Sequence, residues 1–136
     1  MDPVRRAVDA LTAAPELVGR ALHAVWLFGS RARGAAHEGS DVDLAVLCSP
    51  VLGNDRFALA DRVASAAGVE VDVIDLATAN APLAWEVVTT GRILLERDDE
   101  AVERFVRQAR FAAEDAARRH RMIVLATAGE VGGARR

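Results

Sequence analysis

Between Asp41 and Cys48 the chain reads DVDLAVLC. Side chains alternate across a β-strand, so Val42, Leu44, Val46 and Cys48 share one face and Asp41, Asp43, Ala45 and Leu47 the other. The first set is wholly apolar and must face a core. The second opens with two carboxylates, roughly 7 Å apart by strand rise. Asp is a poor strand former, and like charges on one face repel. The arrangement becomes favourable if a cation sits against it, and carboxylate oxygen is the donor that Mg²⁺ prefers.

The rest of the chain alternates helix-type and strand-type periods. Pro3 to about Ala13 carries Val4, Ala7, Val8 and Leu11 at helical spacing, with Asp2 as N-cap. Pro15 marks a break or a short turn. Ala24–Phe28 (AVWLF) is a compact apolar run, expected as a buried strand, and Ser30 is placed to cap a short helix reaching about Gly34. Ala35–Ser40 reads as a loop. Asn54 or Asp55 caps a helix to about Ala67, stopped by Gly68. Val69–Leu76 (VEVDVIDL) is a further strand. Ala81–Thr90 is a helix with Pro82 in its first turn, ended by Gly91, and Arg92–Glu96 (RILLE) is a short strand. From Asp98 a long helix runs to about Ala128, leaving residues 129–136 as an expected flexible tail. Alternating elements over 136 residues predict one α/β domain, residues 1–128, with a central mixed β-sheet of four or five strands flanked by helices.

A third acid is available. In Val69–Leu76, Glu70, Asp72, Ile74 and Leu76 share one face, and Val69, Val71, Val73 and Asp75 the other. If this strand pairs beside Asp41–Cys48, one of its acids completes a three-carboxylate cluster. Asp72 stands mid-strand between valines, where a charge needs a partner; Asp75, near the strand end, is the alternative and has a capping role open to it. Upstream, Gly29-Ser30 follows a buried strand and opens the expected helix. Backbone N–H groups there, approached closely past Gly29, would form an anion site with the Ser30 hydroxyl as a further donor. Arg31 and Arg33 are candidate phosphate contacts, though exposed arginines are commonly just solvated. A phosphate cradle, metal-binding carboxylates and a third acid describe two-metal phosphoryl or nucleotidyl transfer. His37 and Glu38 fall in the loop over this site with no zinc-type spacing, Cys48 reads as a small apolar residue, and Glu70 as a solvated strand-edge group.

Gly29-Ser30, ten intervening residues and Asp41-Val42-Asp43 make the pattern GSx10DxD. This resembles the nucleotidyltransferases of the DNA polymerase β superfamily. With VDVIDL downstream and GRILLERDDE leading into a terminal helix, it is most similar to the minimal nucleotidyltransferase (MNT) branch, in particular the MntA-type antitoxins encoded beside HEPN-domain RNase toxins. The resemblance covers roughly residues 22–110 and implies a polymerase β-like nucleotidyltransferase fold. It further implies that Gly29 and Ser30 hold the triphosphate of ATP, and that Asp41 and Asp43 coordinate two Mg²⁺ ions. Asp72 is then the third metal ligand, able to take the proton of the acceptor hydroxyl. Such proteins transfer AMP to a tyrosine of the partner toxin and silence it; this chain holds no tyrosine, so the acceptor would lie on another protein. Transfer onto a small molecule such as an aminoglycoside is the rival acceptor class, and an antitoxin acting by contact alone is the non-enzymatic rival.

A formal net charge of −3 gives no broad footprint for DNA, and no apolar run is long enough to span a bilayer. The N-terminal MDPVRRAVDALTAA lacks the apolar core of a signal peptide, and the single cysteine allows no internal disulfide, so the expected location is cytoplasmic. The stretch MIVLA (Met122–Ala126), apolar and late in the long helix, is a candidate surface for a partner or a second copy.

Overall fold

The computed structural model describes residues 2–34 and 39–134, with side chains described to residue 128. The expected loop residues Ala35, Ala36, His37 and Glu38 lie outside the described residues, as do Met1, Arg135 and Arg136; of the expected tail, residues 129–134 continue the last helix.

Among the described residues four α-helices and four strands follow in the order α1 (Pro3–Thr12), β1 (Ala21–Phe28), β2 (Val42–Ser49), α2 (Asp55–Ala67), β3 (Val71–Asp75), α3 (Ala81–Thr90), β4 (Arg92–Glu96) and α4 (Asp99–Ala134). The Asp2 carboxylate accepts the Val4 N–H at 3.1 Å and so fixes the start of α1, which turns Val4, Ala7 and Leu11 inward. Pro15–Leu17 makes one turn of 3₁₀ helix. Gly68 ends α2 in the left-handed region, φ +75°, returning its N–H to the Ala64 carbonyl. Asn80 caps α3 through its side chain, which accepts the Leu83 N–H at 2.9 Å, and Asp98 does the same for α4 through Ala101 at 3.0 Å.

The sheet runs in the order β3-β2-β1-β4. β1 lies antiparallel to both β2 and β4, whereas β2 and β3 are parallel, joined over one face by α2. The sheet is thus mixed, as the alternation of elements predicts. β1 begins at Ala21 rather than Ala24. Leu22 pairs with Cys48, and the register then shifts before Ala24 meets Leu47, leaving His23 as a bulge. The bulge disguises the alternation and explains why the apolar run alone shortens the strand. The segment after Gly29 also departs from expectation: residues 30–34 form turns, not a helix. Gly29 and Gly34 both sit at positive φ, +75° and +71°, and the Arg33 N–H to Gly29 carbonyl and Gly34 N–H to Arg31 carbonyl contacts (3.3 and 3.4 Å) close the segment on itself. Two left-handed residues five apart leave no room for a helical run.

Both sheet faces are covered. Val25, Leu27, Val42, Leu44, Val46, Cys48 and Val73 pack against α1 and α2 through Leu11, Leu59 and Val63. On the other face Ala24, Trp26, Ala45 and Leu47 pack with Ala84, Val87 and Val102 of α3 and α4. The face of β2 that begins with two aspartates is therefore a second core from Ala45 onward. Only the beginning of the strand escapes cover, and the carboxylates stand there.

Leu44, fully buried in the middle of β2, ties α1 and α2 to the sheet. Leu44→Ala is expected to lower unfolding stability by about 2–5 kcal/mol, read from urea denaturation monitored by tryptophan fluorescence.

Candidate functional site

Two neighbouring strands bring the acids together. In the parallel β2–β3 ladder Asp43 lies directly opposite Asp72. Parallel partners point to the same face, so these carboxylates project together from the side covered farther along by α3 and α4. Asp41 sits one residue ahead of β2 and is exposed, as is Asp72, whereas Asp43 is half-buried. Asp75 pairs with Val46, on the opposite face. It is 2% exposed, and its carboxylate accepts hydrogen bonds from the Gly53 N–H (3.0 Å), the Ala77 N–H (3.2 Å) and the Thr78 hydroxyl (3.3 Å). Those bonds occupy Asp75 in pinning the loops after β2 and β3. Of the two alternatives for the third carboxylate, geometry favours Asp72.

Asp43 senses the other two acids. Burial, the nearby Asp72 carboxylate and then that of Asp41 push the Asp43 carboxyl above the usual aspartate range, with the positive Arg33 opposing them. Among the described residues no three His, Cys, Asp or Glu side chains form a ready-made metal cage. Mg²⁺ seldom requires one, being held by one or two carboxylates together with substrate phosphates and water. The donors here are all hard oxygen, and repulsion among them is what a divalent cation relieves.

Gly29 closes the other side. A Cβ on Gly29 would collide with the Asp43 carboxylate oxygen, and its φ of +75° is a conformation that L side chains rarely adopt. The absence of a side chain thus lets the Gly29-Ser30 backbone lie against Asp43. Because residues 30–34 form turns, any anion held here would meet turn amides rather than a helix N-terminus. Arg31 and Arg33 part company in this loop. Arg33 is exposed and its charge bears on Asp43; Arg31 is half-buried and donates to backbone carbonyls of Ser40 and Asp41. Sequence reasoning treats the two alike and misses that bracing contact, because nothing in the pattern GSx10DxD reports what bridges its two ends. Glu70, by contrast, accepts the Val42 N–H through its backbone carbonyl at 2.9 Å, a ladder contact that aligns the start of β2.

Residues 17–100, more than half of the chain, match the family model for polymerase beta nucleotidyltransferases, a span that contains all three acids and Gly29. The chain belongs to this nucleotidyltransferase family. It is 43% identical over 82 residues to the protein adenylyltransferase MntA of Shewanella oneidensis; the match covers 58% of this chain and 59% of the relative, less than two thirds of its length. Among solved structures, a toxin–antitoxin crystallised with AMP-PNP superimposes with a TM-score of 0.73 at 28% identity, covering 92% of this chain and 95% of that one. A complex of a tri-AMPylated HEPN toxin with its MNT antitoxin, also from Shewanella oneidensis, superimposes with a TM-score of 0.72 at 27% identity and coverage of 92% and 95%. The mixed sheet and its flanking helices are the nucleotidyltransferase fold, as the sequence resemblance implies. No helix among the described residues is long and apolar enough to cross a membrane.

The raised Asp43 carboxyl carries a sign. A carboxyl whose proton is held more tightly in the folded than the unfolded state costs stability once it ionises: stability falls as pH rises from the ordinary aspartate range through the raised value, and the loss is complete above it. In magnesium-free buffer at neutral pH, Asp43→Asn is expected to be more stable than the wild type by on the order of a few tenths of a kcal/mol, solvent screening included. The advantage should vanish below the ordinary aspartate range. Thermal melts of both proteins across pH check it.

Proposed function

We propose that this chain is the antitoxin of a two-protein module and transfers AMP from ATP to a tyrosine of a partner HEPN-domain toxin, silencing it. The observation that carries the reading is the pairing of Asp43 with Asp72 across β2 and β3, with Gly29 cleared to lie against Asp43. Similarity to a protein adenylyltransferase, and to antitoxins seen with AMP-PNP and with an AMPylated toxin, supports it.

Asp41, Asp43 and Asp72 are assigned as the ligands of Mg²⁺, two ions on the family pattern. When bound, the metal neutralises charge developing on the phosphates and makes the acceptor hydroxyl easier to deprotonate. Gly29 and Ser30 hold the triphosphate through turn amides and the Ser30 hydroxyl, and Arg33 adds a positive charge beside them. The tyrosine oxygen attacks the α-phosphorus in line, and the bond to the bridging oxygen breaks. Pyrophosphate leaves, and Asp72 takes the phenolic proton. Since this chain contains no tyrosine, the acceptor is supplied in trans. The distal part of α4, where Met122, Ile123, Val124 and Leu125 are exposed, is the surface we assign to the partner.

Incubation with α-labelled ATP, Mg²⁺ and the product of the adjacent gene is expected to label that product on tyrosine. Asp41→Ala and Asp43→Ala should reduce labelling to background and release the toxin's ribonuclease activity. Acid variants that still silence the toxin fully, with no label transferred, would contradict the enzymatic reading and favour neutralisation by contact.

A further inference from the structure

The three aspartates are not held in the same way. Asp43 and Asp72 lie inside the β2–β3 ladder and are fixed by its register. Asp41 lies outside it, because the ladder's nearest bond runs from the Val42 N–H to the Glu70 carbonyl. On its other side the backbone is gripped by Arg31. The guanidinium Nε donates to the Ser40 carbonyl at 3.0 Å and to the Asp41 carbonyl at 3.3 Å, while Nη2 donates to the Ser40 carbonyl at 2.7 Å. Hydrogen bonds from a charged, half-buried fork are among the stronger ones available, and their geometry is directional. They also tie the two ends of the motif together, since Arg31 follows Gly29-Ser30 directly and Ser40-Asp41 leads into β2.

Resting on the nucleotidyltransferase reading above, we propose that Arg31 is a positioning residue. Its fork sets the Ser40–Asp41 backbone, and so aims the Asp41 carboxylate at the cation, while polyphosphate contact falls to Arg33 and the turn amides. Lysine cannot replace it, because an ammonium is a point charge that does not reproduce the planar fork.

Electrostatics supplies a test by sign. A positive charge beside three carboxylates repels a divalent cation, so deleting an arginine that contributed only charge tightens cation binding. Deleting an arginine that aims a ligand loosens it. The experiment is Mn²⁺ binding to the full chain without nucleotide, followed by electron paramagnetic resonance, with a thermal melt of each variant to establish folding. Arg31→Ala should weaken Mn²⁺ binding by about tenfold, the scale of lost ligand-orienting contacts, and Arg31→Lys should weaken it although the charge is kept. Arg33→Ala, which removes the exposed arginine that bears on Asp43, should leave binding unchanged or tighter. If Arg31→Ala does not fold, Arg31→Lys decides. Binding by the Arg31 variants as tight as or tighter than wild type overturns the positioning role and returns Arg31 to a charge or phosphate contact. A wild-type chain that takes up no Mn²⁺ overturns the metal-dependent reading itself, a distinct failure seen before any variant is compared.

Discussion

Parallel pairing of β2 with β3 is the constraint on which the rest of this molecule turns. Among the described residues it is the one parallel pair in the sheet, and its register sets Asp43 opposite Asp72. A shift of one residue would carry Asp72 to the face buried under α1 and α2, where Asp75 now sits. The apolar residues that follow the acids hold the register. Leu44 faces Val73 on one side of the sheet and Ala45 faces Ile74 on the other, each packed into its own core. Burying those side chains is favourable enough to force like charges together at the end of the strands.

That end is where the fold tolerates unfavourable electrostatics. Half-burial and two neighbouring carboxylates raise the Asp43 carboxyl, against the opposing charge of Arg33. Gly29 worsens the crowding by letting backbone lie where a side chain would collide with Asp43. An arrangement that costs stability by itself, yet is built by well-packed strands, is the pattern expected of a functional site. Asp75 shows the contrasting solution. It is almost wholly buried, but three hydrogen-bond donors satisfy it, and it serves the fold rather than the chemistry.

Much of this was legible in the residues. The alternation DVDLAVLC placed Asp43 on the face opposite Val42, Leu44 and Val46 because strand periodicity is a backbone property that tertiary contacts rarely override. The limits of α3 followed from Pro82 and Gly91, those of β4 from the short run RILLE after Gly91, and the Asp2 cap from its position ahead of Pro3. Four things were hidden. The β1 bulge at His23 breaks the period that locates a strand start. The turn at residues 30–34 replaces a helix because two glycines take positive φ, a choice that sequence permits without requiring. The grip of Arg31 on Ser40 and Asp41 depends on how two loops meet in space, and no local pattern encodes it. The face carrying the acids also proved to be a second core from Ala45 onward, since apolar residues there suit burial under helices as well as the first face does.

The central claim is that Asp41, Asp43 and Asp72 act on a common cation while Asp75 does not. Carbon-13 spectra of the aspartate carboxylates during a Mg²⁺ titration address it most directly, with ATP analogue present. The account predicts that the resonances of Asp41, Asp43 and Asp72 shift together and saturate at one concentration, with Asp75 unmoved. Saturable movement of Asp75, or an Asp43 and Asp72 that respond independently or not at all, would contradict it.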